Sequence, residues 1–147
     1  MQEGYVRIKI SDSVARVIFF HPKGNSLPSH LLKDLEQAFL QLSSDTDVRV
    51  VVLQSDGEKS FCGGASFEEL ANLSNFDDAV NFFSGFGRVI NSMRKCPKFI
   101  VGRVQGKIVG GGLGLAAACD YVVAVNSASI RLSEYSIAIG PFVISYA

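Results

Sequence analysis

Tryptophan is absent from this sequence, and methionine, histidine, cysteine and proline are scarce: two, two, three and four in 147 residues. Each shortage excludes something. Cys62, Cys96 and Cys119 are an odd number at wide spacing, so they form neither a disulfide frame nor a zinc site; they read as reduced thiols in a cytoplasmic protein, with no metal expected. Excess charge of either sign is missing too: 14 basic and 14 acidic side chains are spread along the chain for a net charge of zero. No basic block exists to follow a phosphate backbone, so nucleic acid is not an expected partner. Long apolar runs are also lacking. The longest, Leu113 to Val125, is interrupted by Asp120, so no membrane span is expected. The first residues, MQEGYVRIKI, hold no apolar signal segment.

What is present points to a packed α/β chain. Hydrophobic residues make up 48% of the sequence, enough for a sizeable core, and the length suits one domain over residues 1–147. YVRIKI and VARVIFF, joined by Ser11-Asp12-Ser13, predict a β-hairpin. A loop, His21-Pro22-Lys23-Gly24-Asn25, leads to Pro28 at the first position of a helix, with Leu31, Leu32, Leu35, Phe39 and Leu42 on its apolar face. VRVVVLQS and FIVGRV have the continuous β-branched character of strands buried on both faces. FEELANL predicts a short helix. Asp77 predicts the cap of a long one that turns Val80, Phe83, Gly87, Ile90 and Met93 inward and ends before Pro97. A helix through the alanines at 116–118 and strands at YVVAV and SIRL complete an alternation of strands and helices.

Two glycine-rich loops each follow a strand and precede a helix: Phe61-Cys62-Gly63-Gly64-Ala65-Ser66 and Gly110-Gly111-Gly112. Helix N-termini leave N–H groups unpaired and carry partial positive charge. One such loop can hold an anion; two that converge can hold an oxygen that turns negative during reaction. Each is also compatible with a plain tight turn. Gly112-Leu113-Gly114-Leu115-Ala116-Ala117 fits a dinucleotide fingerprint, but the segment Gly106 to Val109 separates it from its strand. A serine hydrolase would need G-x-S-x-G, which is missing, and Cys62 as a nucleophile has no basic partner in view, so it reads as small filler. Glu134 follows an apolar strand and is either a helix-start residue or a catalytic acid. Asp120 reads as structural, bonding backbone at a helix–strand junction.

Three segments together resemble the enoyl-CoA hydratase/isomerase family, the crotonase fold. Pro22-Lys23-Gly24-Asn25-Ser26-Leu27 is similar to its loop after the second strand. Ser60 to Phe67 is similar to its first oxyanion loop, and Gly106 to Leu115, with Cys119-Asp120, to its second. Glu134 and Gly140-Pro141 fall at the family's spacing. The resemblance implies a spiral of ββα units, of which the chain holds the N-terminal core only. It implies an acyl-CoA thioester as ligand, coenzyme A entering as part of the substrate with no further cofactor. The oxyanion donors fall on the N–H groups of Ala65 and Gly111, and the proton-moving acid on Glu134. Lys23, Gly24, Asn25 and Leu27 fall on the coenzyme A lining, as do Gly63, Ser66 and Phe67. Gly110, Gly114 and Phe142 complete the substrate set. A homotrimer or dimer of trimers is implied as well. Read from the residues themselves, Phe83, Phe86 and Phe142 are either walls of a tail pocket or core, and aromatics at helical spacing more often serve as core.

Hydratases of that family use two glutamates; the first falls on Gly114, and the acid that usually follows the first loop is Ser66. One carboxylate alone fits double-bond isomerisation better than hydration. A non-catalytic acyl-CoA-binding or subunit-interaction module is the alternative. Full members of the family continue into a mostly helical region, and the run Ile137 to Ala147 is almost wholly apolar. The expectation is a fragment, or an end that packs on another subunit.

Overall fold

The computed structural model describes residues 4–145; residues 1–3 and 146–147, at the outer ends of the N-terminal stretch and the closing apolar run, lie outside the described residues. The hairpin forms as β1 (Tyr5–Ser11) and β2 (Val14–Phe20), paired antiparallel through a two-residue turn in which Asp12 and Ser13 both take positive φ, 51° and 62°. Such a turn matches the twist of the flanking strands. Helix α1 (Ser29–Ser44) follows, then β3 (Val50–Ser55), β4 (Ser60–Cys62), α2 (Phe67–Ala71) and α3 (Phe76–Lys95). The rest runs β5 (Phe99–Val104), β6 (Lys107–Val109), α4 (Gly111–Ala117), β7 (Tyr121–Ala124), β8 (Ile130–Arg131) and a 3-10 turn at Glu134–Ile137.

The strands sort into two sheets, ordered β1-β2-β3-β5-β7 and β4-β6-β8. Each turn of the chain therefore gives one strand to each sheet: β3 then β4, β5 then β6, β7 then β8. From β2 onward every pairing is parallel. That is the expected spiral of ββα units. Its consequence for function is that β4 and β6 lie side by side, so the glycine loops they feed emerge side by side.

The core lies between the larger sheet and helices α1 and α3, with Phe19, Phe39, Leu53, Phe61 and Met93 essentially inaccessible. Leu31, Leu32, Leu35, Phe39 and Leu42 are all buried on α1, as their period predicts. Pro28 precedes the helix as its N-cap in an extended conformation, one position earlier than expected, and has no side chain to cap with. The carboxylate of Glu69 on α2 accepts from the Ser29 N–H at 2.8 Å and supplies that partner. Asp120 is structural as expected: its Oδ2 accepts from the Ile100 N–H at 2.7 Å and its own N–H donates to the Ile100 carbonyl at 2.9 Å.

Three expectations are corrected. The cap of α3 is Asn75, whose side chain accepts from the Asp78 N–H; Asp77 sits inside the first turn. The buried face of α3 is Phe82, Gly85, Phe86, Val89, Ile90, Ser92 and Met93; Val80 and Phe83 are exposed in part, and only Ile90 and Met93 of the expected set are buried. The close approach of α1 decides the phase: a Cβ on Gly85 would lie 2.7 Å from Leu32 Cδ1. Finally, β3 and β5 are not sealed on both faces. Burial alternates along both, Phe99 is 53% exposed, and all four residues of β7 are exposed. The helices cover only one face of this end of the sheet.

Among the described residues no helix is long and apolar enough to cross a membrane, and no three His, Cys, Asp or Glu side chains gather to hold a metal ion.

Candidate active site

The two loops share one backbone device. Gly64 takes φ 85° and Gly110 φ 52°, a region open to glycine, and each reverses the chain just before a helix. The next residues, Ala65 and Gly111, thus occupy equivalent places. The loops touch: a Cβ on Gly64 would lie 3.1 Å from the Val109 carbonyl oxygen, and one on Gly112 2.6 Å from Cys62 Cβ.

The first loop is fixed by hydrogen bonds to the segment after β2. The Leu27 N–H donates to the Gly64 carbonyl at 2.7 Å and the Gly63 N–H to the Asn25 carbonyl at 3.0 Å. Leu27 and Ala65 form an isolated parallel bridge. Strand geometry alternates, so the Ala65 amide turns to the side away from Leu27. Beyond this loop Ser66 caps α2, its Oγ accepting from the Glu69 N–H at 3.3 Å. The second loop is tied to β8, since the Gly110 N–H donates to the Arg131 carbonyl at 2.8 Å. Gly111 opens α4, so its N–H precedes the first intrahelical acceptor.

A cavity of about 720 Å³, including its open mouth, lies over both loops. Gly63, Ala65, Gly110 and Gly111 form its floor, Ser66, Ser133 and Glu134 its polar edge. Its walls come from Phe67 and Leu70 of α2, from Phe82, Phe83 and Phe86 of α3, and from the segment after the 3-10 turn. Glu134 begins that turn. Its Oε1 is 3.2 Å from where a Cβ on Gly110 would stand, and its Oε2 is buried with no hydrogen-bond partner. An unpaired buried carboxylate oxygen is costly, so a site that keeps one leaves it for a ligand, a water or a proton. Cys62, at the end of β4, is the opposite case: burial pushes its thiol up to about 12, which makes it inert filler.

The profile described as enoyl-CoA hydratase/isomerase matches residues 9–145. The chain belongs to the enoyl-CoA hydratase/isomerase family. It is 38% identical over 117 residues to human mitochondrial methylglutaconyl-CoA hydratase, covering 80% of this chain and 34% of that protein. It is 35% identical over 144 residues to the enoyl-CoA hydratase AKT6-1 of Alternaria alternata, covering 97% and 46%. A solved structure from Legionella pneumophila, titled a putative enoyl-CoA hydratase/isomerase (crotonase), superimposes with a TM-score of 0.87 at 30% identity, over 96% of this chain and 55% of that one. The fold is the crotonase fold, and the chain spans about half or less of the length of these relatives.

Of the site residues expected in this family member, Gly63, Ala65, Ser66, Phe67, Gly110, Gly111 and Glu134 line the cavity, as do Phe83 and Phe86. The others lie elsewhere. Asn25 is 3% exposed and acts as a latch: its Oδ1 accepts from the His21 N–H, and its Nδ2 donates to the carbonyls of Asp56 and Ser60, each at 2.8 Å. Leu27 is wholly buried. Gly24 lines a separate open recess with His21 and Asp56, and Lys23 forms an exposed ion pair with Glu68. Phe142 is 78% exposed and outside the lining, its ring turned back over Gly140. Gly114 is buried beneath two side chains: a Cβ there would lie 2.6 Å from Ile144 Cγ2 and 2.7 Å from Ile90 Cδ1. Leu70, Phe82, Ser133 and Ile144 were not anticipated in the lining. For Phe82 the signal was the alternative apolar stripe of α3; for the residues after β8 the sequence holds no periodicity that points inward.

Proposed function

We propose that this chain carries the catalytic core of an acyl-CoA enzyme that stabilises a thioester enolate and moves one proton with Glu134. The backbone N–H groups of Ala65 and Gly111, one from each loop, would hold the thioester oxygen. Two fixed donors aimed at a developing negative charge need no reorganisation during reaction, and one is worth roughly 3–4 kcal/mol of barrier. The observation that carries the reading is the unpartnered Oε2 of Glu134 in a cavity floored by both loops.

Isomerisation is favoured over hydration. A second carboxylate to hold a water has no source at Gly114, and Ile144 and Ile90 fill the space above it. On a 3-enoyl-CoA, Glu134 takes the proton from C2, and the C–H pair shifts into a dienolate whose oxygen is held by the two amides. The same carboxyl returns the proton at C4, leaving the conjugated 2-enoyl-CoA. Nothing besides the coenzyme A of the substrate is required. Lys23 and Gly24 are proposed at its nucleotide end, a homotrimer or dimer of trimers as the assembly, and the cytoplasm as the compartment, on the unpaired thiols. One domain over residues 1–147 is part of the same proposal. Among relatives, the human hydratase is named for methylglutaconyl-CoA, whose acyl group ends in a second carboxylate.

The test is incubation with a short 3-enoyl-CoA in deuterated water. Conjugated product is expected, with substoichiometric deuterium at C4, because the carboxyl returns the proton it took from C2 unless solvent exchanges it first. Tight binding without product from any enoyl-CoA supports the second reading, a non-catalytic acyl-CoA-binding or subunit-interaction module. The exposed apolar strand β7, with Tyr121 at 61% and Val123 at 55%, favours that reading's interaction arm.

A further inference from the structure

We infer that the acyl group accepted by this cavity is an uncharged hydrocarbon chain, and that an acyl-CoA ending in a second carboxylate is rejected. The inference rests on the reading of the cavity as the acyl site. Its walls are apolar and aromatic. Phe82 and Phe83 meet edge to face with ring centres 5.1 Å apart, Phe86 continues the stripe, and Leu70, Ile139 and Ile144 close the opposite sides. Among the described lining residues Glu134 alone is ionisable, and it is an acid whose Oε2 already lacks a partner. Lysine, arginine and histidine are missing from that lining. The basic side chains of the nearby β2–α1 loop do not supply one: Lys23 is paired with Glu68, and His21, in the separate recess, is pushed toward its neutral form by burial.

A distal carboxylate entering here would lose its water, meet no cation, and add negative charge beside Glu134. Each effect opposes binding of the ionised form. A hydrocarbon end of the same shape meets only ring faces and methyl groups, and its burial is favourable in proportion to its area.

The experiment compares two isosteric ligands, 3-methylglutaconyl-CoA and 3,5-dimethylhex-2-enoyl-CoA, in which an isopropyl group replaces the carboxylate. Titration calorimetry reads affinity without turnover. The hydrocarbon ligand is expected to bind ~100-fold more tightly. Equal affinity, or preference for the carboxylate, overturns the inference. If neither ligand binds, the inference and the acyl-site reading fall together. If the expected preference appears but no enoyl-CoA is turned over, only the catalytic reading of Glu134 falls. A cation at the exposed edge of the wall, Phe83→Arg, should narrow the preference at least ~10-fold by pairing the carboxylate. An unchanged ratio in a variant that melts like the parent would place the acyl tail elsewhere and overturn the inference.

Discussion

In the first glycine-rich loop a left-handed Gly64 precedes Ala65; in the second a left-handed Gly110 precedes Gly111. The backbone device is the same, but the forces that hold it differ. The first loop hangs on hydrogen bonds, to Leu27 and Asn25 and through the buried Asn25 side chain to three further backbone groups. The second has one such tie, from the Gly110 N–H to the Arg131 carbonyl, and is otherwise held by packing: a Cβ on Gly111 would meet the Phe86 ring at 2.7 Å, and one on Gly112 would meet Cys62 at 2.6 Å. The first loop has room for the side chains of Ala65 and Ser66, whereas the second admits none. Chemistry falls unequally as well, because Glu134 leans on Gly110 and is joined to the second loop through β8. One loop is thus a clamp held mainly by hydrogen bonds, the other a packed floor with the acid attached.

The largest effect should come from the acid. Glu134→Gln keeps shape and removes the proton carrier, so turnover of a 3-enoyl-CoA should fall ~10²–10⁴-fold, with substrate affinity and the thermal melt little changed. Unchanged turnover would strip the second loop of its catalytic role. Next is Gly114→Glu, one turn into α4. Its side chain would press on Ile144 and Ile90 and bury an unpaired carboxylate, at a cost of roughly 3 kcal/mol in a denaturant melt. Hydration activity is expected only in the pair Gly114→Glu with Ile144→Ala, which clears the Ile144 side of that space and leaves the Ile90 side chain to turn aside. Hydration gained by the single variant would show that Ile144 does not block that position.

The supports of the loops can be broken separately. Asn25→Ala leaves the His21 N–H and the Asp56 carbonyl without these partners, takes one donor from the Ser60 carbonyl, which keeps Gln105 Nε2 at 3.1 Å, and puts alanine at φ 57°. A loss of about 2–3 kcal/mol is expected by denaturant melt. Gly112→Ala forces a methyl against Cys62 and should cost about 2 kcal/mol by overpacking. If Asn25→Ala proved harmless, the first loop would be held by packing like the second, and the contrast would vanish.

Much of this was legible beforehand, and the failures have physical reasons. Alternation in YVRIKI and the period of Leu31, Leu35, Phe39 and Leu42 fixed the hairpin and α1 because one face of each meets the core. In α3 two apolar stripes compete, Val80-Phe83-Gly87 and Phe82-Phe86-Val89. Only the contact of Gly85 with Leu32, a tertiary fact, chooses between them. The cap is legible in Asn75, three residues before Asp78, but Asp77, an acid near the start of the periodic stretch, carries the same local signal. The glycine loops and Glu134 were visible as residue types. Their approach depends on β4 pairing with β6 across more than forty residues, which no local pattern encodes. The covering of Gly114 by Ile144 is of the same kind.

The smallest effect tests the boundary of the first loop. Ser66 stands where the family usually has an acid, and its Oγ caps α2 through the Glu69 N–H. Glu69 in turn caps α1 by accepting from the Ser29 N–H. Ser66→Ala removes one cap directly and slackens the second, so about 1 kcal/mol should be lost in a denaturant melt. Ser66→Asp keeps an oxygen of the right reach, since aspartate caps as well as serine, and should recover most of that loss. Recovery would make the residue at 66 a structural acceptor that stiffens the clamp next to Ala65. Failure of aspartate to recover it would mean that the buried position beside the cavity rejects charge, and that serine is there because the site already holds one carboxylate, Glu134, without a cation.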